Sequence, residues 1–208
     1  MISANKFWNK HAEGYAKRAV PNEALYQQKL ALTQQFFNDQ MFVMEFGCGT
    51  GSTALVHAPH VKQYLAVDVS DKMIEIAEAK LAASEIDNLE FKVSSIEDFN
   101  ADQASFDAVL GLNILHLLSD PQASIKRSFE LLKPGGLFIT SSPSLTGWIR
   151  LFQPLWPIGV VLGLIPKIQF FSHQKLAAYM QEAGFEIEQH WIPEQSSRTS
   201  FIIAKKPM

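Results

Sequence analysis

The sequence has one cysteine in 208 residues, which excludes an internal disulfide and fits a reducing, intracellular setting. It also lacks a basic tract. Its 18 Lys and Arg are scattered among 21 Asp and Glu, for a formal net charge of -3, so the electrostatic footprint of a nucleic-acid binder is missing. The stretch Met1 to Trp8 has no continuous apolar core of the signal-peptide kind, and the expectation is a cytoplasmic protein. Repeats, low-complexity tracts and metal-spaced clusters of Cys, His, Asp and Glu are absent; His57 and His60 form a loose pair without companions, and no metal is expected. The uncharged run from Leu151 to Ile165 falls short of the roughly 20 residues a membrane span needs. Pro154, Pro157, Gly159 and Gly163 interrupt it, which excludes a transmembrane helix.

What is present is organised around Val43-Met44-Glu45-Phe46-Gly47-Cys48-Gly49-Thr50-Gly51-Ser52. A short apolar run of this kind suits a strand buried on both faces of a parallel sheet. The glycines that follow permit backbone angles closed to other residues and let a ligand approach the main chain, and a helix opening at Ser52 or Thr53 would present free N–H groups to a negative group. A dinucleotide fingerprint would need its third glycine at Ser52, so the pattern is E-x-G-x-G-x-G instead. The next apolar run, Tyr64 to Asp68, ends in a carboxylate 17 residues beyond Gly51. That places Asp68 a helix and a strand away, where its two oxygens can serve two ribose hydroxyls. Further strands are expected at Asn88–Val93, Phe106–Asn113, after Pro134-Gly135-Gly136, and at 185–191 and 198–204. Helices are expected over 22–37, 53–58, 70–84, 121–132 and 172–183, capped by Asn22, Ser70, Asp120 and Ser172. The fold class is α/β.

In order along the chain, the glycine turn, Val67-Asp68-Val69-Ser70-Asp71-Lys72-Met73, Asn113-Ile114-Leu115-His116-Leu117-Leu118 and Leu131-Leu132-Lys133-Pro134-Gly135-Gly136 resemble the motifs of class I S-adenosylmethionine-dependent methyltransferases, over roughly residues 40–140. The resemblance implies a seven-stranded, mostly parallel sheet with helices on both faces and an antiparallel last strand. It implies S-adenosylmethionine as cofactor, S-adenosylhomocysteine as product, and a small-molecule methyl acceptor. The cofactor-binding set it implies is Glu45, Gly47, Cys48, Gly49, Gly51, Asp68, Val69, Met73, Ser95, Ile96 and Asn113. Gly47 to Gly51 would hold the methionine end, Asp68 the ribose, Ser95 and Ile96 the adenine with Met73 at its edge, and Asn113 the cleft wall. The family often carries an aspartate where Ser95 stands, so that contact would lose its charge.

Tyr15 matches the family's N-terminal tyrosine that folds over the cofactor; an aromatic staple with Phe7, Trp8 and His11 is the other reading. His116, beyond the fourth strand, is a candidate proton acceptor or a structural hydrogen-bonding group. The expected layout is one domain over 1–208, with a helical cap over 1–38 and an apolar insertion over 142–171. Trp148, Trp156 and their apolar neighbours leave three readings for that insertion: a lid on an apolar acceptor pocket, a peripheral membrane contact, and a dimer contact or extra core. A non-enzymatic module that binds the cofactor and acts through the insertion is the competing class.

Overall fold

Apolar runs buried on both faces set the centre of the sheet. In the computed structural model, which describes residues 3–143, 156–161, 165–193 and 199–208, β1 (Phe42–Phe46), β2 (Gln63–Asp68) and β4 (Phe106–Leu112) are almost wholly buried. Strands β3 (Leu89–Val93) and β6 (Glu186–Trp191) alternate between covered and exposed residues, and they are the two edges. With β5 (Leu132–Pro143) and β7 (Thr199–Lys205) the order is β3-β2-β1-β4-β5-β7-β6. All pairings from β3 to β5 are parallel, and β7 runs antiparallel to both neighbours.

The helices are α1 (Ala4–Ala16), α2 (Glu23–Gln34), α3 (Ser52–His57), α4 (Asp71–Ala82), α5 (Pro121–Leu131), α6 (Trp156–Val161) and α7 (His173–Glu182). Side-chain oxygens of Ser3, Asn22, Ser70, Asp120 and Ser172 accept backbone N–H groups at their starts, and so satisfy donors that no helical carbonyl can reach. One core, with Met44, Phe46, Ile125, Phe138 and Phe185, lies under α5 and α7; the other, with Val43, Tyr64, Ile74, Ala77 and Phe91, lies under α3 and α4.

Two expectations change in detail. The strand expected after Pro134-Gly135-Gly136 begins before it, at Leu132. Phe106 pairs with Leu132 and Ala108 with Leu137, so these residues bulge out of the ladder rather than precede it. Helix α2 stops at Gln34 instead of Phe37, closed by Phe36 and Phe37 N–H groups that bond to Thr33 and Gln34 carbonyls. Residues 144–155 and 162–164 of the predicted insertion, with Trp148 and Arg150, lie outside the described residues. Among the described residues no helix is long and apolar enough to cross a membrane.

The topology locates the site. From β1 the chain builds outward to β2 and β3, then returns to β4 on the other side of β1. A crevice must open at the carboxyl ends of β1 and β4, where the connections part. The glycine turn leaves β1 there, and Asn113 to His116 leave β4 beside it: a Cβ at Gly47 would lie 2.4 Å from the Ile114 side chain.

Candidate active site

The three glycines of the turn have φ of +65°, +55° and +73°, a region in which L side chains are strained. Their surroundings differ. A Cβ on Gly47 would strike Ile114, and one on Gly51 would strike Phe91 at 2.6 Å and Ala77 at 2.8 Å. A Cβ on Gly49 would meet only Tyr15, at 3.8 Å. Gly47 and Gly51 are therefore packed from behind, and of the three only Gly49 has room for a Cβ, which would lie in ordinary contact with Tyr15. The turn is held from outside by Lys80 of α4, whose Nζ donates to Thr50 O (2.8 Å), Thr50 Oγ1 (3.0 Å) and Ser52 Oγ (3.0 Å). Helix α3 spans six residues and has no side-chain cap, so the turn, more than a helix dipole, shapes the cradle.

Asp68 closes one side. It is 8% exposed; Oδ2 accepts the Gly49 N–H and Oδ1 the Ser70 N–H, both at 2.9 Å. Each oxygen keeps a further lone pair. Burial raises its pKa, against the lowering by its backbone hydrogen bonds. Glu45, at the end of β1, accepts the Tyr64 hydroxyl at 2.8 Å. Burial pushes its carboxyl from 4.5 up to about 7; the Tyr64 hydrogen bond opposes this and Asp68 adds to it. Burial also pushes the Cys48 thiol well up, helped by Glu45 and Asp68, so that it is not a thiolate at neutral pH.

Glu45 gives a pH prediction. Between pH 4.5 and about 7 the folded chain holds a proton that the unfolded chain has lost, so this group weakens the fold as pH rises through that window. Glu45→Gln keeps an acceptor for Tyr64 and removes the titration. In thermal melts, its Tm relative to wild type should climb from pH 4.5 to 7 and then level off; a constant difference would contradict the assignment.

Helix α1 covers the turn. Tyr15 is 46% exposed as a residue, yet its hydroxyl is desolvated and its pKa raised, with Asp68 and Glu45 adding to the shift. Trp8 meets the Tyr15 ring edge-on at 6.2 Å, and Phe7 stacks on His11, so the predicted aromatic cluster exists as contacts. Two asparagines anchor the helix. Asn5 Nδ2 donates to Val69 O at 2.8 Å; Asn9 accepts the Ser70 hydroxyl at 2.6 Å and donates to Asp71 at 2.6 Å. They fasten α1 to the loop that follows Asp68.

The structure gathers Glu45, Gly47, Cys48, Gly49, Gly51, Asp68, Val69 and Tyr15 around one cradle, with Asn113 beyond it. Three other predicted residues sit differently. Met73 and Ile96 are each 2% exposed, their side chains turned into the core. Ser95 Oγ donates to Asp98 Oδ2 (2.8 Å) and accepts the Asp98 N–H (3.0 Å), closing a local turn.

On the far side Asn113 has φ +56° and donates its N–H to Ser141 O at 2.6 Å. Ser141 Oγ donates to Asn113 Oδ1 at 3.4 Å and receives Lys29 Nζ at 2.7 Å. Burial lowers the Lys29 pKa to about 8. His116 lies in a single 3₁₀ turn, Leu115–Leu117; its Nδ1 is buried with no hydrogen-bond partner among the described residues, and burial lowers its pKa to about 4. Its carbonyl accepts the Gln169 N–H at 2.7 Å, tying the end of the insertion to this turn, while Trp156 Nε1 donates to Pro166 O at 3.0 Å. A separate groove, lined by Met41, Asp107, Lys133 and Met208, opens at the amino ends of the strands, opposite the crevice.

Lys29, Lys80, Asn5 and Asn9 carry geometry that sequence reasoning missed. Lys29 had a signal, because it follows Leu25 by four positions and precedes Leu32 by three, which puts it on the buried stripe of α2.

Comparison with known proteins bears on the family and the fold. The profile of a family described as "Methyltransferase domain" matches residues 17–190. The ubiquinone biosynthesis O-methyltransferase of Xanthomonas axonopodis pv. citri (strain 306) is 31% identical over 154 residues, spanning 70% of this chain and 63% of that protein. The protein of the same name from Xylella fastidiosa (strain 9a5c) is 30% identical over 154 residues, again 70% of this chain and 61% of that one. The chain thus spans somewhat under two thirds of these relatives' length. Among solved structures, YcgJ of Bacillus subtilis superposes with a TM-score of 0.72 at 16% identity, over 88% of this chain and 99% of that one. A SAM-dependent methyltransferase of Thermotoga maritima gives 0.70 at 20% identity, over 96% and 98%. The [4+2]-cyclase SpnF gives 0.74 at 17% identity, over 92% and 85%. At such identities these structures speak for the fold alone.

Proposed function

The chain belongs to the S-adenosylmethionine-dependent methyltransferase family, and from that premise we propose that it transfers a methyl group to an oxygen of a small acceptor with an apolar body. The observation that carries this reading is the cradle itself: Gly49 open, Gly47 and Gly51 closed, and a buried carboxylate at its side with lone pairs to spare. These residues fit the cofactor. A side chain at Gly49 would fill the space its methionine end needs, and the free lone pairs of Asp68 suit two ribose hydroxyls. S-adenosylmethionine, when bound, supplies a methyl carbon already made electrophilic by its sulfonium.

The chain's own residues then bind, orient and exclude water. In this reading Glu45, Cys48 and Val69 line the cradle, and Ile96 and Met73 reach the adenine through the backbone and from behind its pocket, since their side chains are in the core. Tyr15 of α1 closes the cradle, and the described end of the insertion borders the acceptor side through the Gln169 bond to the His116 carbonyl. His116 stays neutral at pH 7, and with a pKa near 4 it is a weak proton acceptor. The relatives' name as O-methyltransferases supports an oxygen acceptor, and the apolar insertion supports an apolar body.

The test is S-adenosylhomocysteine release from S-adenosylmethionine in the presence of cell extract split into lipid and water-soluble fractions. Turnover with the lipid fraction is expected. Turnover with the soluble fraction alone would replace the apolar acceptor by a polar metabolite. Cofactor binding without turnover on either would replace the enzyme by a binding module.

A further inference from the structure

Lys29 is a lysine without a counter-charge at the edge of the crevice. It projects from the buried stripe of α2, and among the described residues its Nζ has one hydrogen bond, to Ser141 Oγ at 2.7 Å. No carboxylate pairs with it among the described residues, and its pKa is lowered by burial alone. Burying an ammonium without a partner is unfavourable, and an apolar side chain in its place is ordinarily at least as stable. Two of its N–H donors have no acceptor among the described residues. Ser141 is 1% exposed at the carboxyl end of β5, and its Oγ and carbonyl bond to the side chain and N–H of Asn113 at the end of β4. Asn113 in turn precedes Ile114, whose side chain packs behind Gly47. The ammonium is thus fixed, through Ser141, Asn113 and Ile114, in register with the glycine turn.

We infer that Lys29 contacts the methyl acceptor, its ammonium docking an anionic oxygen of that molecule over the carboxyl ends of β4 and β5, with Ser141 and Asn113 as positioning residues. The inference rests on the methyl-transfer reading and adds the charge of the acceptor. It also answers a difficulty there: His116 is too weak a base to ionise a hydroxyl, whereas a neighbouring ammonium lowers the pKa of an acidic hydroxyl and holds its anion. A phenol-like hydroxyl, with an ordinary pKa of about 10, is within reach of such a shift. A carboxylate beside the methylated group would satisfy the same ammonium without any shift.

The experiment uses the full chain saturated with S-adenosylhomocysteine and titrated at pH 7 with 4-nitrocatechol, with 4-nitrobenzoate, and with 4-nitroveratrole as the neutral control. Wild type is expected to bind one of the two acidic probes better than the neutral one. Lys29→Met should weaken that probe roughly tenfold or more, while Lys29→Arg stays within about threefold because it keeps the charge. Affinities for 4-nitroveratrole and for S-adenosylhomocysteine should be alike in all three proteins, and Lys29→Met should melt no lower than wild type. A purely structural lysine would not produce that pattern. Preference for nitrocatechol identifies the oxygen as a phenolate, and preference for nitrobenzoate as a carboxylate. Equal binding of the acidic probe by Lys29→Met and wild type, or no preference for either acidic probe in wild type, would overturn the inference with methyl transfer intact. Failure of wild type to bind S-adenosylhomocysteine would overturn both.

Discussion

Asp68→Ala is expected to weaken S-adenosylhomocysteine binding by about 100-fold or more. Hydrogen bonds to a charged acceptor are worth about 1.5–3 kcal/mol each, and two ribose hydroxyls would lose theirs together; each 1.4 kcal/mol is a factor of about ten. The same change strips the Gly49 and Ser70 N–H groups of their acceptor, and it frees the link that holds the turn against the end of β2. The fold should therefore lose about 1–3 kcal/mol as well. Asp68→Asn separates the two effects. Its amide oxygen can still accept one of the two N–H groups, but its NH₂ group would face the other, so binding should fall while Tm falls less than in the alanine variant. Calorimetric titration checks the affinity, and thermal melts check that the variants fold. Unchanged affinity in folded Asp68→Ala would remove the ribose from this carboxylate.

Gly51→Ala should be strongly destabilising. The residue has φ +73°, where a Cβ costs about 1–2 kcal/mol. That Cβ would also lie 2.6 Å from Phe91 and 2.8 Å from Ala77, both in the packed core between α4 and the sheet. Overpacking of this kind costs about 1–3 kcal/mol more. At about 2–4 °C per kcal/mol for a chain of this size, the melting temperature should fall by roughly 5–15 °C. Gly49→Ala is the contrast. It bears the backbone strain but meets only Tyr15, at 3.8 Å, so its Tm should drop by a few degrees while S-adenosylhomocysteine binding is lost. Equal destabilisation at the two positions would mean that the open face is not at Gly49.

The parts of this architecture that were legible in the sequence are those encoded locally. Buried strands announce themselves as short apolar runs, and Asn22, Ser70, Asp120 and Ser172 mark helix starts because a cap acts within three residues of itself. The positions of the glycine turn and Asp68 followed from where strands end. What escaped is encoded at long range. Lys29 meets Ser141 across 112 positions, Lys80 reaches Thr50 across 30, and Asn9 reaches Ser70 across 61, and no periodicity records such pairs. Ile96 and Met73 stand next to the cofactor motifs in sequence, where an apolar side chain serves the core as readily as a ligand, and both side chains turn inward. The Ser95 hydroxyl is used by Asp98 three residues on, a local turn that the motif position does not record. Pro134-Gly135-Gly136 reads as a helix stop followed by a strand, yet the ladder resumes around it, since Gly135 and Gly136 exchange backbone hydrogen bonds with Lys206.

The central claim is that the cradle between Gly49 and Asp68 holds S-adenosylmethionine, and the most direct measurement is a calorimetric titration of the wild-type chain with S-adenosylhomocysteine and, separately, with NAD. The account predicts a single saturable site for S-adenosylhomocysteine, lost in Gly49→Ala and Asp68→Ala, and no heat from NAD. Saturable binding of NAD, or S-adenosylhomocysteine binding indifferent to both substitutions, would contradict it.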